Sequence, residues 1–94
     1  MLIKRKIKIR NSQGLHARPA SIFVRIANKF ESDLVVKKGS ESVNGKSIMG
    51  LLVLAANQGS VIVLEASGDD AEQAIKELED FLTHDEEEEK HENR

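Results

Sequence analysis

The apolar residues of this chain change their spacing along its length, and that change restricts the fold more than any single residue does. Ile3, Arg5, Ile7 and Ile9 alternate with Lys4, Lys6 and Lys8, the period of two that a strand with one buried face requires. After the turn residues Asn11 to Gly14, Pro19, Phe23, Ile26, Ala27 and Phe30 recur at spacings of three and four, the stripe of an amphipathic helix. Leu34, Val35 and Val36 predict a second strand. Lys38-Gly39-Ser40 then reads as a hairpin turn before a short third strand near Ser42 and Val43, and Asn44-Gly45 turns the chain again. Val61 to Leu64 is uniformly apolar between Gly59-Ser60 and Ser67-Gly68, as expected of a strand inside the sheet. Ala71, Ala74, Ile75, Leu78 and Leu82 mark a last helix, which Asp69 opens with Glu72 three later and which Glu72 with Lys76 braces.

Ser47 to Ala56 is apolar nearly all round, so periodicity alone does not separate a helix from a buried strand. Ten residues is long for a buried strand, and Ser47 offers a hydroxyl to cap a first turn, so the stretch reads as a short helix. Gly50, three places on, rules out a capping box. With Leu51, Leu54 and Ala55 facing inward, Ile48, Met49 and Leu52 are either ordinary core or an exposed apolar contact patch. The resulting order, strand, helix, strand, strand, helix, strand, helix, predicts an α+β open-faced sandwich. Its four-stranded antiparallel sheet is covered on one face by three helices. Residues 1–84 form one domain, and the acidic stretch 85–94 repels itself and reads as a solvated tail.

Composition excludes several classes of function. A formal charge of -2 is too near balance for bulk nucleic-acid binding, and no apolar run approaches the roughly 20 residues that span a bilayer. The bases between Lys4 and Arg10 interrupt the apolar residues near the start, so no secretory segment is expected, and the absence of cysteine removes disulfides and thiolate metal sites. A cytoplasmic location is the expectation. His84 and His91, seven apart in the acidic stretch, make no compact metal site, and no cofactor is expected.

The chemistry gathers at GLHARPAS, residues 14–21. Pro19 fits a first helical turn, where its missing N–H is not needed, so His16 falls at or near the N-cap. The amides of Ala17 and Arg18 then lack internal partners and carry the positive end of the helix dipole, a setting that receives anions. Arg18 adds a permanently charged fork suited to phosphate oxygens. From the residues alone, His16 is either a plain capping residue or a nucleophile whose phosphoryl adduct would land among donors already in place. A carrier must also hold weakly, because stabilising the adduct by about 4 kcal/mol would make onward transfer roughly a thousandfold less favourable. Arg18, Ser21, Arg25 and Lys29 form a basic ribbon on the same helix, either simply solvated or a guide for an acidic partner.

GLHARPAS, together with NGKSIMGLL from Asn44 to Leu52, resembles the HPr family, the histidine-containing phosphocarriers of the phosphoenolpyruvate-dependent sugar phosphotransferase system. The likeness runs from about Leu2 to Leu82 and implies the open-faced sandwich reached above. It implies that His16 takes a phosphoryl group on Nδ1 from enzyme I and passes it to enzyme IIA domains, assisted by Arg18 and the Ala17 amide. The chain would then be a phosphoryl-transfer intermediate rather than a turnover catalyst. Ser21, Arg25, Ile48, Met49 and Leu52 would be partner contacts. The KSIMG form implies regulatory phosphorylation of Ser47 by an HPr kinase/phosphorylase, and pairing of the phosphoserine form with a catabolite-control transcriptional regulator. The histidine at 16 argues against regulatory paralogues in which that residue is replaced. The acidic stretch from Asp85 exceeds the usual family end.

Two other readings remain from the sequence. Gly45-Lys46-Ser47 resembles the end of a P-loop, but that motif needs glycine at position 40, which is Ser40, while Gly39 is one too early. A non-sugar paralogue, or a regulatory module acting only through Ser47, is the alternative to a sugar phosphocarrier.

Overall fold

The computed structural model describes residues 1–84; the acidic stretch 85–94, read above as a solvated tail, lies outside the described residues. The elements follow the expected order: β1 (Leu2–Lys8), α1 (Ala17–Ala27), β2 (Asp33–Lys38), β3 (Glu41–Asn44), α2 (Ile48–Leu54), β4 (Val61–Ser67) and α3 (Ala71–Thr83). The strands form one antiparallel sheet ordered β1-β4-β2-β3, with Arg5 opposite Leu64 and Val36 opposite both Leu64 and Val43. The fourth strand is internal, as expected, and it extends beyond Leu64 to Ser67 with only alternate residues buried. Gly39, at a φ of +59°, takes the first place of the two-residue β2–β3 turn, the position that a tight hairpin reserves for glycine.

Period-two alternation sends Ile7 inward on β1 and Ile62, Leu64 and Ala66 inward on β4, all nearly inaccessible. Helix α3 lies over β1 and β4 with Ala74, Ile75, Leu78 and Leu82 buried, and α1 lies beside it with Phe23 and Ala27 buried. Burying a side chain such as Phe23 is worth about 1.5–3 kcal/mol, so these faces rather than propensity hold the helices down. Arg5 occupies a core-facing register position on β1. It escapes burial by reaching Glu79 of α3 at 2.6 Å.

Lys4, Lys6 and Lys8 occupy the other face of β1, an edge strand, and no helix of the described residues covers that face. Glu65 sits between Lys37, at 2.8 Å, and Lys4, at 3.9 Å. The hydrogen bond from Lys37 holds its carboxyl below the usual carboxylate range.

Two local expectations fail at α3. The N-cap is Asp70 rather than Asp69, and its side chain makes no cap bond. Its carboxylate instead accepts hydrogen bonds from the Ser32 hydroxyl, from Glu31 N at 2.9 Å and from Ser32 N at 3.0 Å, tying α3 to the loop before β2. Three donors outside the helix outcompete the helix's own amides. The Glu72–Lys76 brace is also absent among the ion pairs of the described residues. There the helix's Glu77 and Glu79 pair instead with Lys29 and Arg5.

The Ser32 hydroxyl, followed by the Glu31 amide, holds Asp70 below its ordinary value. A carboxylate whose native pKa is depressed contributes stability fully above its unfolded value, about 3.9, and loses it as pH falls through the lower native value. Asp70→Asn is therefore expected to lower the melting temperature at pH 7 and to lose that effect progressively as pH falls from about 3.9 through the lower native value. Thermal melts across this range test it, and a gap of equal size at both ends would show that the carboxylate's charge is not what stabilises.

Candidate functional site

Helix α1 begins where its sequence says it should. His16 is the N-cap, in extended backbone at φ -81° and ψ -169°, and its carbonyl accepts the first intrahelical bond from Ala20 N at 2.8 Å. The imidazole makes no cap bond. Because Pro19 has no N–H and Ala20 N is used, the first turn leaves two amides, those of Ala17 and Arg18, without an acceptor among the described residues. His16, Ala17 and Arg18 are all exposed, and Arg18 has no carboxylate partner among the described residues. The ring is not walled in.

The loop leading to His16 is held on both sides. Arg10 N and Asn11 N donate to Leu82 O at the end of α3, at 2.9 and 3.2 Å, and the buried Asn11 side chain donates to Gly14 O at 2.9 Å. On the other side Leu15 N donates to Ala56 O at 2.8 Å, while buried Leu15 fills the core below. Gly14 stands at φ +61°, and a Cβ there would lie 2.5 Å from Ala56 O and 2.9 Å from Asn57 Cα. Both obstacles are backbone, so only glycine permits this approach.

Helix α2 arrives at the same place. Ser47 caps it as expected, with its Oγ accepting from Gly50 N at 3.0 Å. The helix stops at Leu54, two residues short of the Ala56 expected. Its C-cap is Ala55 at φ +55°, a left-handed backbone that L side chains rarely adopt. This corrects one expectation: Ala55 is exposed, and Ala56 takes the buried place instead, because the left-handed residue reverses the chain before it can continue the helix face. Lys38 Nζ donates to Ala55 O at 3.2 Å, a cation at the helix's negative end.

The uncommitted face of α2 is apolar and open: Ile48 is 41%, Met49 72% and Leu52 38% exposed. Val53, at 69%, belongs with them and was missed, although it lies four residues after Met49 and so on the same face. Leu52 and Ala55 join Leu15, His16, Ala17 and Asn57 around a shallow depression of about 270 Å³, so the patch is continuous with the imidazole. Asn57 was also missed. Its Oδ1 lies 3.1 Å from His16 Nε2, a contact across 41 residues that no local pattern announces.

Of the basic ribbon, Arg25 is exposed and Ser21 half-buried on the outer side of α1, whereas Lys29 is drawn to Glu77 at 2.7 Å. Among the described residues there is no group of three or more histidine, cysteine, aspartate or glutamate side chains that could hold a metal ion, and no helix long and apolar enough to cross a membrane. The arrangement is an accessible imidazole at a helix N-terminus, with two amides and a guanidinium that have no partner among the described residues, and an adjoining apolar surface. Such a site can accept an anionic group from another macromolecule and release it.

Known proteins carry the same arrangement of elements. A family model described as the PTS HPr component phosphorylation site matches residues 3–84. The phosphocarrier protein HPr of Neisseria meningitidis serogroup B is 46% identical over 81 residues, 86% of this chain and 91% of that protein. The HPr-like protein Crh of Bacillus subtilis strain 168 is 41% identical over 81 residues, 86% of this chain and 95% of that protein. The crystal structure of the phosphocarrier protein HPr from Bacillus anthracis superposes with a TM-score of 0.84 at 38% identity, covering 86% of this chain and 96% of that one.

The two left-handed backbone positions beside the site predict opposite responses. Ala55→Gly relieves a left-handed alanine, about 1–2 kcal/mol, against a glycine entropy cost of about 0.5–1 kcal/mol, so a net gain of about 0–1.5 kcal/mol is expected. Gly14→Ala drives a methyl group into backbone and is expected to cost more than that gain. Chemical denaturation of both variants checks the pair, and a destabilised Ala55→Gly would show that the alanine is not strained.

Proposed function

This chain belongs to the HPr family of phosphotransferase-system phosphocarriers, and from that premise we propose that it accepts a phosphoryl group on His16 Nδ1 from phospho-enzyme I and passes it to enzyme IIA domains for sugar uptake. The observation that carries this reading is the exposed imidazole at the α1 N-cap beside the unpartnered Ala17 and Arg18 amides. In this reading the Nδ1 lone pair attacks phosphorus while the two amides and the Arg18 fork bind the phosphoryl oxygens. An exposed helix end contributes only about 0.3–1 kcal/mol to an anion, which suits a group that has to leave again.

Ile48, Met49, Leu52 and Val53 supply the apolar centre of the docking surface, with Ser21 and Arg25 at its rim to meet an acidic partner. Relatives include both carriers and Crh, and the histidine at 16 favours the carrier role over a module that acts only through Ser47. The second part of the proposal is that an HPr kinase/phosphorylase modifies Ser47, whose phosphoserine form pairs with a catabolite-control transcriptional regulator. A phosphate there retains acceptors for Gly50 N while adding about -1.5 to -2 charges beside Ile48. Docking of acidic partners weakens while α2 stays capped. The chain acts in the cytoplasm, and its catalysts are its partners.

Incubation with enzyme I and phosphoenolpyruvate is expected to give an acid-labile label that His16→Ala abolishes. Incubation with ATP and the kinase is expected to give an acid-stable label that Ser47→Ala abolishes and His16→Ala spares. Arg18→Ala is expected to slow histidine labelling about tenfold, the equivalent of one charged hydrogen bond at an exposed site. Failure of the native chain to label from phospho-enzyme I would end the carrier reading.

A further inference from the structure

We infer that Asn57 is a positioning residue for His16: its Oδ1 accepts the Nε2–H, which fixes the ring's orientation and tautomer and leaves the Nδ1 lone pair free. The inference deepens the phosphocarrier reading and rests on it for the identity of the group transferred. Its structural content stands separately.

The geometry begins with the backbone rather than the side chain. Asn57 follows Ala56, whose carbonyl is bonded to Leu15 N, and Gly14 lies close against Asn57 Cα. A reciprocal turn closes the residue from the other side, with Asn57 N donating to Ser60 Oγ at 3.1 Å and Ser60 N donating to Asn57 O at 2.9 Å. An exposed asparagine side chain would ordinarily move freely. Here the Leu15–Ala56 bond ties together the residues that precede His16 and Asn57, and the Ser60 turn holds Asn57 from its other side, so the 3.1 Å contact joins two anchored residues.

The direction of that bond decides what the ring can do. A neutral imidazole carries one N–H and one lone pair, and the hydrogen bond made by one nitrogen determines the state of the other. With Oδ1 as acceptor, Nε2 must donate, and Nδ1 keeps an unprotonated lone pair with no partner among the described residues. Were the Asn57 amide group donating instead, the proton would sit on Nδ1 and the ring would present a blocked nucleophile. The first arrangement alone suits attack from Nδ1.

The same bond serves both halves of a transfer. On loading, the Nδ1 lone pair forms the bond to phosphorus as the donor's bond to phosphorus breaks and its electron pair returns to the donor. Nε2 keeps its proton, so the ring takes a positive charge that faces Asn57 Oδ1. On release, the Nδ1–phosphorus bond breaks, its electron pair returns to Nδ1 and the neutral Nε2–H imidazole is restored. Retaining the Nε2 proton keeps the ring a good leaving group, and Asn57 opposes its loss.

Long-range nitrogen–proton NMR of the unphosphorylated chain reads the tautomer directly, with the His16 signals assigned by their absence from a His16→Ala sample. The expected result is a dominant Nε2–H form, partly lost in Asn57→Ala and retained in Asn57→Asp, which keeps an acceptor but has no donor. A melting temperature unchanged in Asn57→Ala separates positioning from folding. With phospho-enzyme I, Asn57→Ala is expected to load His16 about fivefold more slowly, the worth of one neutral hydrogen bond, and Asn57→Asp to recover part of that rate. A dominant Nδ1–H form in the native chain, or tautomer signals that Asn57→Ala leaves unchanged, overturns the inference. If the native chain fails to load while the tautomer result holds, the carrier reading is lost and the Asn57–His16 bond stands.

Discussion

The site depends on the close approach of two stretches of backbone. Leu15 N meets Ala56 O, Gly14 lets the chains come near enough for that bond, and Ala55 turns α2 sharply so that Ala56 is in place to accept it. A side chain on Gly14 would hold the segments apart, and a longer α2 would carry Ala56 away from Leu15. Through this contact the start of α1 and the end of α2 become one surface, although 41 residues separate His16 from Asn57. Histidine, open amides, apolar patch and asparagine are neighbours because of it.

Most of the fold was legible because most elements have a period that matches their burial. The alternation in β1 and the three-and-four spacing in α1 and α3 are direct images of one covered face and one stripe, whereas the run Val61 to Leu64 of β4 is apolar throughout although its burial alternates and Val61 is 46% exposed. The misreadings concern groups whose partners lie far off in sequence. Asp70 was overlooked as the α3 cap because its carboxylate turns to Ser32 and Glu31, contacts that no local capping rule contains. Ala55 was assigned inward because a left-handed alanine leaves no trace in a hydropathy pattern.

The candidate site divides in the same way. Where the needed signal is local, the sequence held it: Pro19 marks the helix start and Ser47 the cap, while the apolar excess after Ser47 left core and exposed patch open until the fold placed Ile48, Met49 and Leu52 outside. Val53 was recoverable from spacing alone. Asn57 was not, since it becomes relevant only when the sheet and both helices have been assembled. Lys29 shows the converse, a member of the basic ribbon by spacing that Glu77 draws aside in three dimensions.

The uncovered side of the sheet has its own effect on how such molecules meet. Among the described residues its outer strand has a neighbouring strand on one side only, a natural template for a further strand from another molecule. The lysine row along β1 makes that template self-repelling, since a second copy laid alongside would bring its own ammonium groups against the first. The opposite edge, β3, is only four residues long and offers little to extend. With both borders of the sheet guarded, encounters between crowded copies are turned away from ribbon-like stacking, and the helical side is left as the sociable one.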